Sequence, residues 1–218
     1  MDKRNKAIAV YITSAAVIAA ILFIIAYYSG LIHSAAVQNI TLQTVENVVP
    51  HANYTLMNST SENLTGYFST QGYRHIMVSE FNASSNVKYT SYPQFITSII
   101  YTANSPATAK NIEENFLLIN FSSSYTPNSI SSQYSYQKSF NYSYKKNNVT
   151  MYNVYDVAVS NLTSVTTYSE EYPIFQYTTV FAYGNYTVFV AEDGYGGLNG
   201  TIPDLLAEKL FAAIVSSK

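Results

Sequence analysis

Thr178-Thr-Val-Phe-Ala-Tyr-Gly-Asn-Tyr-Thr-Val-Phe-Val190 decides how this chain folds. Large side chains alternate with smaller ones on both sides of Gly184-Asn185, the period-two pattern of a strand that packs on one face. A short Gly-Asn connection supplies the positive φ that a tight hairpin turn requires. The stretch predicts two antiparallel strands, about Ile174–Tyr183 and Tyr186–Glu192, folded back on each other.

Working upstream, two further strands are expected at about Tyr134–Tyr144 and Thr150–Ser160, with Lys145-Lys146-Asn147-Asn148 as a turn-like cluster between them. Before these, Tyr73–Phe81 is rich in strand formers, and Pro93 introduces Gln94–Tyr101. Ser105 and Pro106 read as the N-cap and first residue of a helix. Ala109, Ile112, Phe116 and Ile119 follow at spacings of three and four, one apolar stripe. Downstream of the hairpin, Asp193–Gly200 reads as a glycine-rich loop. A closing helix opens at Thr201, with Asp204 in its first turn and an apolar face of Leu206, Leu210, Ala213 and Ile214. The order strand, strand, helix, four strands, helix predicts an α+β domain over residues 73–218: one antiparallel sheet with helices packed on one face. Residues 33–72 read as a stalk or linker. Pro50 ends any helix there, and Asn53–Thr70 has the Asn/Ser/Thr density of turns and loops.

This order, with the Ser105-Pro106…Ala109 helix after a strand, the late hairpin at Tyr183-Gly184-Asn185-Tyr186 and the closing Leu206-Ala207-Glu208-Lys209-Leu210, resembles exported, membrane-anchored PsbP-like domains of archaeal cell-surface type. The resemblance covers roughly residue 72 to the end. It implies an exported α+β fold and transfers no catalytic set.

Ala7 to Ile32 carries no charged side chain and no proline. As a helix it would extend roughly 39 Å, against a hydrocarbon core of about 30 Å, so it reads as a transmembrane helix contacting membrane lipid. Lys3, Arg4 and Lys6 precede it and no Lys or Arg follows until Arg74. The positive-inside rule then leaves residues 1–6 as a cytoplasmic basic tip and places the C-terminal part outside the cell. A cleaved signal peptide is the competing reading, with Ser34, Ala35 and Ala36 as a processing site, although h-regions are usually shorter. A third reading takes Lys6-Ala7-Ile8-Ala9 as the processing site of a class III, pilin-type signal.

Beyond Ile32, eight basic residues stand against twelve acidic ones, a balance that disfavours nucleic acid. With no cysteine, neither disulfides nor thiolate metal sites are open to the chain. Ser, Thr, Asn and 22 tyrosines form the polar surface in place of charges. A surface so poor in titrating groups predicts stability that changes little in acid. Eleven Asn-x-Ser/Thr sequons lie outside the apolar run, at Asn39, Asn53, Asn58, Asn63, Asn82, Asn120, Asn141, Asn148, Asn161, Asn185 and Asn199. That is a higher density than twenty asparagines give by chance, and it makes each a candidate for N-glycosylation.

Sets of residues that carry chemistry are weak. His33, His51 and His75 lack close metal-ligand spacing. Glu170-Glu171, adjacent in an extended segment, point to opposite faces. Glu192, Asp193 and Asn199 around Gly194, Gly196 and Gly197 do not match a calcium loop. There is no G-x-S-x-G elbow and no phosphate-binding glycine loop. The tyrosines suit half-buried strands, with sugar stacking as the alternative. No catalytic, cofactor or metal residue is assigned. The sequence predicts a glycosylated extracytoplasmic binding or scaffold component of the cell envelope, with an envelope protein or glycan as partner. A pilin-like filament subunit is the alternative, and an exported hydrolase the least supported.

Overall fold

The computed structural model describes residues 37–50, 52–83, 93–122, 130–161, 171–194 and 200–217. The basic tip, the apolar run at 7–32, His33 and the two proposed processing sites lie outside them. Residues 38–216 form one compact unit.

Seven strands form one sheet. They are β1 (Tyr54–Asn63), β2 (Tyr73–Ala83), β3 (Phe95–Ala103), β4 (Ile130–Tyr144), β5 (Asn147–Asn161), β6 (Glu171–Tyr183) and β7 (Tyr186–Gly194). Their order across the sheet is β1-β2-β3-β7-β6-β5-β4, and every pairing is antiparallel. Four helices accompany them: α1 (Leu42–Val48), α2 (Tyr67–Thr70), α3 (Pro106–Ser122) and α4 (Thr201–Ser216). In the β6–β7 hairpin Tyr183 pairs with Tyr186, and Gly184 takes φ +57° in the two-residue turn. Ser105 caps α3 through its Oγ, which accepts the Thr108 N–H at 3.1 Å.

The expected fold class, an α+β layer behind an N-terminal transmembrane helix, is corrected by this architecture. The described residues are mostly one long-stranded antiparallel sheet with few helices, two of them only 7 and 4 residues long. Among the described residues no helix is long and apolar enough to cross a membrane. Nor do the helices share one face. Thr187 and Val188 are neighbours on β7 and so point to opposite sides of the sheet. The Thr187 hydroxyl donates to the Ala109 carbonyl of α3 at 2.6 Å. Val188 lies opposite Phe181, whose ring meets Phe211 of α4 edge-on. An apolar stripe tells a helix which of its own sides to bury, not which face of the sheet receives it.

The face under α4, the core face, holds Phe81, Ile96, Ile100, Met151, Phe181, Val188 and Val190, all fully buried. Phe211 is its centre, in edge contact with Tyr142, Phe181 and Tyr183. Asn39 ties the segment before α1 to the same face: its amide donates to the Ser98 carbonyl at 3.2 Å and accepts the Ser98 hydroxyl at 2.6 Å.

Residues 53–70, expected to be loop, instead contain strand β1 and the short helix α2. All but two residues of β1 are exposed, so an edge strand held by its ladder with β2 carries the polar composition of a loop.

Candidate functional site

Among the described residues α3 covers the opposite face of the sheet over part of its width. Residues two apart on a strand share a face, and cross-strand partners share it too. The register therefore places Thr97, Ile99 and Tyr101 of β3 beside Ala191, Phe189 and Thr187 of β7, and Thr178 and Gln176 of β6 beside Ala191 and Asp193. With Phe116 of α3 as a wall, these residues enclose an open groove of about 330 Å³. We call this the groove face.

One end of the groove is aromatic. The Phe116 and Phe189 rings meet edge to face at 4.9 Å, and Phe189 meets Tyr101 at 6.0 Å. The contacts continue through Tyr73 and Phe68 to Tyr67 on α2, with centroids 6.1–6.5 Å apart. Burial pushes the Tyr101 phenol up from its ordinary value, with the neighbouring Tyr73 adding to it. Ala191 forms the waist, flanked by Thr97 and Thr178. The other end is polar. Asp193 accepts a hydrogen bond from the Gln176 amide at 2.8 Å, and burial raises its carboxyl above the usual value while that bond opposes the rise. Asp193 lies four positions along β7 from Phe189, about 13 Å.

Behind the groove, on the core face, lies a second polar set. Glu192 is 1% exposed and its Oε1 accepts the Gly200 N–H at 3.0 Å. Asp204 in the first turn of α4 accepts from Asn153 at 2.6 Å and Thr179 at 2.7 Å. Burial, with Asp204 and Asp193 nearby, pushes Glu192 up to about 7. Asp204 is raised by burial too, against its two hydrogen bonds. These buried acids are contrary to the expectation of a pH-insensitive chain: scarce carboxylates titrate abnormally when the fold buries them.

The structure separates residues that the sequence set together. Glu192 and Asp193 lie on opposite faces of β7 and cannot share a cation. Asn199, Gly196 and Gly197 lie outside the described residues, as do His51 and Glu170, while Glu171 opens β6. His75 accepts from or donates to the Ser61 hydroxyl at 3.1 Å on the exposed β1–β2 edge. Among the described residues no three acidic or histidine side chains gather as a metal site.

The sequons divide by environment. Asn53, Asn58, Asn63, Asn141, Asn148 and Asn185 are exposed. Asn120 falls in α3 and Asn161 at the end of β5. Asn39 is bonded into the core face, as described. Asn82 is half-buried, and its Oδ1 is shut off from solvent without a hydrogen-bond partner among the described residues. Across the β4–β5 hairpin Asn141 and Asn148 each accept a hydroxyl from the opposite strand, from Thr150 at 3.0 Å and from Ser143 at 2.7 Å.

The groove residues were missed in the sequence because they converge from three strands and a helix far apart in the chain. Of them only Asp193 was weighed for chemistry, as a calcium ligand, and the structure places it near the end of β7.

No protein-family model matches this chain, and no curated protein matches it in sequence. Among solved structures it is similar to the extracellular domain of PknH from Mycobacterium tuberculosis, at 8% identity and a TM-score of 0.50. The match covers 81% of this chain and 93% of that one. The likeness is one of fold, a sheet-rich extracellular domain, and the comparisons contain no PsbP-like match.

Proposed function

We propose that this chain is an extracytoplasmic binding domain of the cell envelope, which holds a segment of an envelope partner in the groove between α3 and strands β3, β7 and β6. The observation that carries the reading is the groove itself: an aromatic end, a small waist at Ala191 and a polar end at Asp193, on a sheet whose other face is filled by core. Sites of this kind, concave and mostly apolar with a few placed polar groups, are where ligands bind. An extracytoplasmic position is supported by the extracellular fold neighbour, by the sequon density, and by a basic then apolar N-terminal sequence suited to export. Glycans on exposed asparagines such as Asn141, Asn148 and Asn185 would hydrate a surface poor in charge. Binding rather than catalysis fits side chains that offer hydroxyls, an amide and one carboxylate without a paired nucleophile and base. The acidic balance argues against nucleic acid.

Methyl-resolved NMR of the chain during a fragment screen tests the site. Shifts should concentrate on Ile99, Ala191, Thr97 and Thr178. Hits that perturb only other regions, or an absence of hits, would remove the groove as the binding site.

A further inference from the structure

The polar end of the groove continues sideways along the sheet. Phe95 of β3 lies between Asn82 of β2 and Asp193 of β7 in one row, and Gln176 of β6 extends that row. In the next row Glu80 of β2 faces Thr97. All these positions are on the groove face. The row is rich in acceptors and poor in positive charge. Asp193 has one acceptor bond from Gln176, Glu80 has one from the Asn58 amide at 3.1 Å, and the Asn82 Oδ1 is buried without a donor among the described residues. Among the described residues neither Glu80 nor Asp193 takes part in an ion pair. Between the acceptors Phe95 stays 39% exposed.

An exposed aromatic ring set among uncompensated acceptors attracts an organic cation. The ring's negative face and the Asp193 carboxylate both favour positive charge, and an ammonium supplies further donors to a carboxylate that holds one side-chain hydrogen bond. The groove then runs from this row over Ala191 to the Phe189–Phe116 pair, about 13 Å of apolar floor.

We infer that the ligand of this groove bears an ammonium group, seated over Phe95 against Asp193, on an elongated apolar body that lies along Ala191 towards Phe189 and Phe116. The inference rests on the groove being the binding site. The chemical class is an alkyl- or arylalkylammonium, as in a lysine-type side chain or an amine-bearing chain, held by charge complementarity at one end and burial at the other.

Three probes of one shape test it on the full chain: 4-phenylbutylammonium, 4-phenylbutanol and 4-phenylbutyrate, each titrated while the Ile99 and Ala191 methyl signals are followed. The ammonium should bind about tenfold more tightly than the alcohol, the margin of a charge-assisted hydrogen bond, and the carboxylate least. Asp193→Asn should bring ammonium and alcohol to within about twofold, and Ala191→Trp should abolish binding of all three. Equal binding of ammonium and alcohol, or preference for the carboxylate, overturns the cation inference and leaves the groove standing. Binding that survives Ala191→Trp, or no binding by any probe, overturns the groove as well. The comparison of probes on the unaltered chain does not depend on either variant folding.

Discussion

The backbone N–H of Gly200 donates to the buried Oε1 of Glu192 at 3.0 Å, so one carboxylate joins the end of β7 to the residue before α4. That bond forms where desolvation has already raised the carboxyl to about 7 from an ordinary 4.5. The folded chain therefore holds a proton on Glu192 across a pH range in which the unfolded chain has released it. Stability contributed this way is fully present below the unfolded value and is lost as pH rises through the folded one. Glu113, Asp193, Asp204 and Glu208 shift in the same direction, each first through burial. Thermal unfolding should show a chain that gains stability from pH 8 to about 4.5, by roughly 3 kcal/mol through Glu192. Glu192→Gln should remove most of the slope. A melting temperature level across that range would mean that Glu192 is ionised in the fold.

Gly200 itself is predicted to be intolerant. It takes φ +72°, and a Cβ placed there would stand 2.1 Å from the Tyr177 ring. Tyr177 is buried and rests edge-on against Tyr155, so the ring has little freedom to retreat. Gly200→Ala combines a left-handed backbone penalty with overpacking, roughly 2–5 kcal/mol. Gly184→Ala, in a turn with similar φ at the end of two central strands, should cost only about 1 kcal/mol. Equilibrium denaturation of the two variants checks the order, and equal losses would mean that Tyr177 moves aside.

The β4–β5 turn offers the opposite effect. Lys145 and Lys146 both adopt positive φ, +46° and +66°, because a two-residue hairpin turn twists correctly only in that region. Lysine pays a steric penalty there that glycine does not. Lys146→Gly should stabilise the chain by about 0.5–1 kcal/mol after the entropy that glycine adds to the unfolded state. A destabilised variant would show that the Lys146 side chain makes a favourable contact that outweighs its strain.

How far the sequence could be read follows from whether a feature is local. The β6–β7 hairpin was legible because Gly184 and the flanking alternation lie within thirteen residues, and the Ser105 cap because it is written in consecutive positions. Strand β1 was not. Its Asn, Ser and Thr residues resemble a loop, and only pairing with β2, residue by residue from Tyr54 opposite Ala83 to Asn63 opposite His75, makes it a strand. The groove was hidden for the same reason in stronger form. Thr97 and Ala191 are neighbours only through the β3–β7 pairing, which joins residues almost a hundred positions apart, and the choice of face for α3 leaves no local mark. Burial of Glu192 was equally invisible, since nothing beside it in the sequence marks which face of the expected strand it points to.

The last prediction separates the sequons by what their side chains already do. Asn39 matches the glycosylation motif as well as Asn141 does, yet all three of its side-chain contacts are structural. Its Nδ2 donates to the Ser98 carbonyl at 3.2 Å, and its Oδ1 accepts from the Ser98 hydroxyl at 2.6 Å and from the Ile40 N–H at 2.8 Å. A glycan on Nδ2 would have to share the space in which that nitrogen meets Ser98, itself fully buried on the core face. Asn141 is exposed, and the hydrogen bond from the Thr150 hydroxyl falls on its Oδ1 and does not engage Nδ2. Where the natively expressed protein is glycosylated, peptide mapping should therefore find Asn141 and Asn148 occupied and Asn39 bare. Asn39→Ala should cost roughly 2–3 kcal/mol, because it leaves the buried Ser98 groups without partners, whereas Asn141→Ala should change stability by less than about 0.5 kcal/mol once the glycan is removed. A glycan found on Asn39 would require the segment before α1 to leave the sheet. In that event the Ser98 bonds would not form in the mature protein, and Asn39→Ala would be silent.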